Sequence, residues 1–232
     1  MPKGATNFAA NTVVIPLSCG RCPLRPSPHN RVDTAWGAWK AGLVFAANVF
    51  PLVELKTERL LLRAHEEQDV GPTVRLFADE LSRRWLTSPQ PYTLEDARRW
   101  CMQTSHSLRS VGDGIHWAIT DRVTGEFLGG IGVKSTSWMN RVTEVGYGMG
   151  AWARGRGYAP EATRAVAEWV LRDQGFHRIE LFASTGNAAS QRVAEKAGFV
   201  REGVARNAGF SHGGQEDMVM FSLIPADLPA PA

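Results

Sequence analysis

Between about residues 51 and 225, apolar positions recur with two different periods, and the changes of period predict an alternation of strands and helices. Residues 59–63 read as a strand. Residues 66–77 read as helical, with Pro72 marking a break or a second start. Thr93-Leu94-Glu95-Asp96 has the pattern of a capped helix start, and that helix should run to about Ser110. Residues 116–120 and 127–135 are predicted strands joined through 121–126, where Gly125 suits a hairpin turn. A strand over 143–149 is followed by a helix over about 159–174, with Ala162, Val166, Trp169 and Val170 at core spacing. Because that helix intervenes, the next strand, 178–182, should lie parallel to 143–149. A helix over 191–197 and strands at 200–203 and 217–223 complete the pattern, with a loop over 204–216. The expected fold is a mixed α/β layer with a β-α-β unit at its centre.

Composition adds little to this picture. Hydrophobic residues make up 44% and charged residues 21% of 232, as in ordinary globular chains, and the length is enough for a sizeable core. Charge is unevenly spread. Residues 1–50 hold Lys3, Arg21, Arg25, Arg31 and Lys40 against Asp33 alone, so they carry +4, and the remaining residues carry −1 of the total +3. The domain over 51–225 therefore has no basic surplus that would suggest nucleic acid as a partner. The first 50 residues lack periodicity and are interrupted by Pro16, Pro23, Pro26 and Pro28, which predicts a mostly disordered extension with a short helix near 36–48. The apolar stretch 35–50 contains Lys40 and Asn48 and is too short to span a bilayer, so no membrane partner is expected. Residues 226–232 read as a tail. Cys19 and Cys22 form a CxxC pair without two further ligands at zinc spacing, so no metal is expected. Cys101 falls in the helix after Thr93 and reads as packing. Three cysteines make no disulfide framework, and a reducing cytoplasm is the default compartment.

Candidate chemistry concentrates at 144–199. Residues 154–159, Arg-Gly-Arg-Gly-Tyr-Ala, hold two glycines and no acid, and they open a helix. Gly155 and Gly157 permit backbone angles that let several N–H groups converge on one point. The helix start adds free N–H groups and the positive end of its dipole. Arg154 and Arg156 add positive charge suited to phosphate oxygens. The spacing is neither the GxGxxG dinucleotide fingerprint nor a Walker loop. A strand-to-helix turn with solvated arginines is the plainer alternative.

In order along the chain, several motifs resemble the GNAT (Gcn5-related N-acetyltransferase) superfamily, and within it the RimJ/RimL-type group. They are Leu55 to Arg63 as an opening "l.TeRLlLR" strand, Phe127-Leu128-Gly129-Gly130, Arg154-x-x-Gly157-x-Ala159, Asn187-x-x-Ser190, Glu195 to Phe199, and Asp217 to Met220. The resemblance implies a central, mostly antiparallel sheet with one splayed parallel strand pair, flanked by helices. It implies acetyl-CoA as co-substrate, with the pyrophosphate on Arg154, Gly155, Arg156, Gly157, Tyr158 and Ala159. Pantetheine would lie along the Tyr147–Met149 backbone and Asn187, with the Met149 N–H polarising the thioester carbonyl and Ser190 near the sulfur. Gly146, Gly148 and Gly150 suit a bulge or a close ligand there, or simply a neighbouring helix.

The implied activity is transfer of an acetyl group to the primary amine of a protein N-terminus or a small molecule, by a monomer or homodimer. A non-catalytic acyl-CoA-binding scaffold is the alternative. Many members carry a tyrosine acid seven residues after the asparagine, where this chain has Ala194, so Ser190 becomes the candidate acid. Helix capping is the other role open to Asn187 and Ser190. RimL-type proteins carry a glutamate just before the aromatic that corresponds to Phe210, where this chain has Gly209. Glu144 is therefore the candidate base, with an ion pair to Arg141 as its alternative. His116 and His212 are lesser candidates. Trp85, Pro89, Tyr92, Trp100 and Trp138 are available to line an acceptor pocket, although aromatics such as these four are more often core.

Overall fold

The structure is a computed structural model and describes residues 48–230. The Cys19/Cys22 pair, and all but the last residue of the helix expected at 36–48, lie outside that range. Phe50, placed by the sequence pattern at the end of the extension, is fully buried. It packs against Trp138 (4.7 Å between ring centroids) and Phe176 (5.5 Å) and belongs to the core.

The chain folds as β1 (Leu55–Lys56), β2 (Leu60–Arg63), α1 (Val70–Ala78), α2 (Glu80–Trp85), α3 (Leu94–Arg99), α4 (Ser105–Ser110), β3 (Ile115–Asp121), β4 (Phe127–Ser137), β5 (Val142–Met149), α5 (Tyr158–Glu168), β6 (Arg178–Ser184), α6 (Ala188–Lys196), β7 (Val200–Ser211) and β8 (Gly214–Leu223). Among the described residues, a single eight-stranded sheet has the order β1-β2-β3-β4-β5-β6-β8-β7, and only β5 and β6 pair in parallel. The mixed α/β architecture and the parallel central pair match the sequence expectation.

Helices cover both faces of the sheet, as the period of two along β3 requires. Trp117 and Ile119 join the large core cluster with Val166 and Trp169 of the α5 segment, whereas Ala118 between them meets Leu76 of α1. The four positions read as the core stripe of α5 (Ala162, Val166, Trp169 and Val170) are all buried. Pro72 does not break its helix. It lies in the first turn of α1, where a missing N–H costs nothing, after a short turn over Glu67–Asp69. Thr93 caps α3 as expected: its hydroxyl accepts from the Asp96 N–H, and Asp96 accepts from the Thr93 N–H. A π turn over Trp100–Thr104 joins α3 to α4, and Cys101 within it is fully buried.

The segment 204–216, expected as a loop, is instead the greater part of the β7–β8 hairpin. Its turn is His212-Gly213, with Ser211 paired to Gly214. The hairpin absorbs a register shift between Ala205 and Gly209, with Asn207 at a φ of 52°. The irregularity is stitched by the Asn207 N–H, which donates to the Asp217 carboxylate at 2.9 Å. The opening strand motif has a structural task. Thr57 Oγ1, the Arg59 N–H and Arg59 Nε all donate to Glu161 in the first turn of α5, and Arg59 Nη1 donates to the Arg156 carbonyl at 3.0 Å. The edge of the sheet thus clamps the glycine loop and the helix behind it.

Candidate active site

The site originates in a fork. β5 and β6 are paired only from Val142–Arg178 to Glu144–Glu180. Beyond Glu144, among the described residues, no strand covers the β6-facing edge of β5, so Val145–Met149 presents an unpaired edge. An open strand edge is a row of donors and acceptors seeking partners. The fork opens into a cleft of about 1300 Å³, bounded by the diverged strands, the 153–160 loop, the start of α6, α2 and the β7–β8 hairpin. The glycines of β5 contain no bulge: the β4–β5 ladder runs in register from Gly129–Met149 to Lys134–Glu144, and its irregularity lies between Lys134 and Ser137. Gly148 leaves room for α2 and its flank, because a Cβ there would come within 3.1 Å of Leu86 Cδ1.

The glycine loop sits at the cleft with Gly155 at a φ of 75° and Gly157 at 80°. Both angles favour glycine. Among the described residues, no carbonyl or side chain accepts from the N–H groups of Gly155 and Gly157. The arginines differ from expectation. Arg154 is not a mobile charge: its guanidinium pairs with Asp79 at 2.6 Å and donates to Ser82 Oγ at 2.8 Å and to the Met149 carbonyl at 3.1 Å. These bonds tie the loop to the start of α2 and hold the Asp79 carboxyl below its usual range. Arg154 therefore lines the cleft as a strut. Arg156 is exposed, its guanidinium 5.1 Å from the ring centre of buried Tyr158, which Arg59 also covers at 4.8 Å. Two exposed basic residues that sequence reasoning missed, Arg192 and Lys196, border the cleft from α6. Their spacing of four on one helix was the available signal.

Asn187 and Ser190 meet at the opposite wall. Asn187 caps α6, its Oδ1 accepting from the Ser190 N–H at 3.1 Å. The capping alternative thus holds for Asn187, and it leaves the Ser190 hydroxyl free to face elsewhere. That hydroxyl accepts a 3.0 Å hydrogen bond from the phenol of Tyr147 across the fork. Tyr147 was expected to act through its backbone alone. Burial pushes its phenol up to about 12, against a weaker opposing effect of the Ser190 bond. It therefore holds its proton at neutral pH. Ala194 is fully buried, so the phenol in this site comes from β5 and not from α6.

Glu144 stands at the vertex of the fork. Its partner is Lys134, 3.0 Å away on β4, and not Arg141. A second cleft carboxylate, Glu216 of β8, was missed because its segment was taken for a loop. Of the five candidate pocket residues, Trp85 lines the cleft. Pro89, Tyr92 and Trp100 line a neighbouring pocket of about 370 Å³ that shares Leu86 and Thr87 with it. Trp138 packs into the core with Phe50 and Phe176 and borders neither. His116 lies beside Trp100 in the interior, and His212 lies in the exposed hairpin turn. Neither borders the cleft, so neither is a base candidate. No group of three metal-binding side chains occurs among the described residues.

The family profile described as acetyltransferase (GNAT) domain matches residues 59–200. The chain belongs to the GNAT acetyltransferase family. Among its GNAT relatives is YoaA of Bacillus subtilis, described as an uncharacterized N-acetyltransferase. It is 30% identical over 176 residues, which cover 76% of this chain and 98% of YoaA. The ribosomal-protein-serine acetyltransferase of Escherichia coli is 24% identical over 172 residues, covering 72% and 94%. Among solved GNAT folds, RimJ of Mycobacterium smegmatis in complex with CoA-disulfide superposes with a TM-score of 0.67 at 20% identity, over 76% of this chain and 88% of that one. A GNAT-family acetyltransferase of Bacillus anthracis gives 0.65 at 22%, over 74% and 98%. The RimJ/RimL-type resemblance is thus carried by both sequence and fold.

Proposed function

We propose that the cleft binds acetyl-CoA and that the chain transfers its acetyl group to a primary amine, on a protein N-terminus or a small molecule. The observation that carries this reading is the fork, where the edge of β5 loses its partner after Glu144 and runs on to a glycine loop at a helix start. Pantetheine is an extended chain of amides, and such a chain can dock on an open edge as an added strand would. The Gly155 and Gly157 N–H groups and the start of α5 suit the pyrophosphate. Arg156, Arg192 and Lys196 supply mobile positive charge around it. Arg154, held by Asp79, keeps the loop in shape.

The neutral amine attacks the thioester carbonyl carbon, and the Met149 N–H is placed to stabilise the developing oxyanion. The C–N bond forms and the C–S bond breaks. Ser190 gives its proton to the departing sulfur and recovers one from Tyr147. The surplus proton on nitrogen passes through water to Glu144, five strand residues before Met149. The E. coli relatives named for ribosomal-protein serine and for uS5 alanine support a protein N-terminus as one class of acceptor. A cytoplasmic location fits this chemistry, and no described helix is long and apolar enough to cross a membrane.

Calorimetric titration of acetyl-CoA into wild type and Gly157→Glu tests the reading. The substitution places a carboxylate in the loop and forces a side chain onto a φ of 80°. Micromolar binding lost in the variant, with circular dichroism unchanged, is the expected result, followed by thiol release when amines are added. A folded wild type that ignores acetyl-CoA would sink it.

A further inference from the structure

The far end of the cleft, away from the glycine loop, has a chemistry of its own. Glu216 lies directly across the β7–β8 ladder from Gly209. Opposed residues of an antiparallel pair share a face, and both positions border the cleft. At position 209 a Cβ would fall 2.3 Å from Met218 Sδ, so a side chain there would require the flexible Met218 side chain to move. The carboxylate on this face comes from β8. The Ser211 hydroxyl donates to Glu216 Oε1. The Ser184 and Ser211 hydroxyls hold the carboxyl below its usual range, so it is ionised at neutral pH.

Glu144, the other carboxylate lining the cleft, has Lys134, and Asp217, beside Glu216 on β8, accepts from Asn207. Among the described residues, no Lys or Arg nitrogen lies within ion-pair distance of Glu216. The nearest cation acting on it, Arg84, rests its guanidinium 4.5 Å from the ring centre of Trp85. Two apolar side chains of α2, four residues apart and so on one helix face, line the same cleft. Leu81 is 50% exposed and Trp85 is half-buried, and a point beside Gly186 lies within 4 Å of both the Trp85 ring and Ser184 Oγ, one of the hydroxyls that act on Glu216. Phe210, paired with Gln215, faces the other side of the hairpin. Single exposed apolar residues are commonplace. An apolar pair beside an ionised, unpaired carboxylate in one cleft has the make-up of a ligand site.

We propose that Glu216 anchors the acceptor's ammonium group as it enters, and that the acceptor is a cationic primary amine carried on an apolar body that packs against Trp85 and Leu81. This rests on the acetyltransferase reading and extends it to the second substrate. Glu216 stands six residues along β8 from Ser222, which is level with Glu144 across β6, so it captures the cation and takes no part in removing the proton. Amines flanked by carboxylates are disfavoured by the same charge that holds the ammonium.

Calorimetry on the full chain separates the two proposals. Acetyl-CoA is first titrated into wild type, Glu216→Gln and Leu81→Ala. The proteins are then saturated with CoA and titrated with 2-phenylethylamine and with its neutral counterpart, 2-phenylethanol. The amine should bind wild type and weaken about tenfold or more in Glu216→Gln, the loss expected for a charge-assisted contact, while the alcohol binds both alike. Leu81→Ala should weaken amine and alcohol equally. Acetyl-CoA affinity should be the same in all three. If acetyl-CoA binds but the amine does not, or binds no tighter than the alcohol, or binds Glu216→Gln as well as wild type, the role of Glu216 is refuted and the transferase reading stands. If acetyl-CoA itself fails to bind wild type, both proposals fall together.

Discussion

Two histidines near Trp100 make the stability of this domain depend on pH in a way that can be worked out in advance. His65 and His116 lie with ring centres 6.3 and 5.1 Å from Trp100, and His65 Nδ1 and His116 Nε2 are buried without a hydrogen-bond partner. Burial lowers each to about 4. Asp69 opposes this for His65, while His116, Arg63 and His106 reinforce it; for His116, Lys134 reinforces it. In the unfolded chain both titrate near 6.5. Between pH 6.5 and 4 the unfolded state therefore binds more protons than the native state, so stability falls as pH falls through that window. At pH 5 each histidine has removed about 2 kcal/mol relative to pH 7, and the pair about 4 kcal/mol. That is a large part of the roughly 5–15 kcal/mol typical of a domain. Carboxylates with depressed values, such as Glu202 at about 2, lose their contribution below this window. Urea unfolding at pH 7, 6 and 5 reads the effect directly. Wild type should lose about 4 kcal/mol across the series, and His65→Gln/His116→Gln should lose little. Should the double variant fail to fold, His116→Gln alone should show about half the wild-type slope. Equal slopes in wild type and variant would show that the buried imidazoles are not the source.

Tyr147→Phe should lower kcat on the order of tenfold with acetyl-CoA affinity intact. Ser190→Ala should cost as much, and the double variant little more, because the two hydroxyls act as one relay; additive losses in steady-state assays would break that link. Arg154→Ala should lower the melting temperature and weaken acetyl-CoA binding together, since its guanidinium fastens the loop to α2. A direct phosphate role would weaken binding alone and leave the melt unchanged.

Local chemistry made much of the fold readable. The capping box at Thr93, the core stripe of α5 and the parallel pairing of 143–149 with 178–182 all follow from interactions within a few residues, or from a rule of connection. The β7–β8 hairpin does not. Along β7 most residues are exposed, and Gly203, Asn207 and Gly209 interrupt any alternation. An edge strand of this kind buries too little to mark itself in a pattern. What holds it is the β8 ladder, which pairs residues from 3 to 22 apart, and the Asn207–Asp217 bond, ten apart. Missing the hairpin meant missing Glu216, since its significance lies in the residue it faces.

The arginines of the glycine loop show the same limit from another side. By charge alone, Arg154 and Arg156 are equivalent phosphate ligands. In space, Arg154 is claimed by an acid 75 positions earlier, and Arg156 is left to the solvent. An arginine whose fork is already filled by a carboxylate, a hydroxyl and a carbonyl has few donors left for a ligand. Its worth to the site is the shape it imposes on Gly155 and Gly157. The phenol follows similar logic. An acid is needed near the sulfur, and the fold can supply it from whichever element faces the fork. With Ala194 turned into the core, the strand that carries the cofactor edge also carries the hydroxyl, and Ser190 bridges the gap. A missing side chain at one position is therefore weak evidence for a missing function. On the proposed reading, a hydroxyl supplied across the fork, as at Tyr147, would keep the chemistry while erasing the motif.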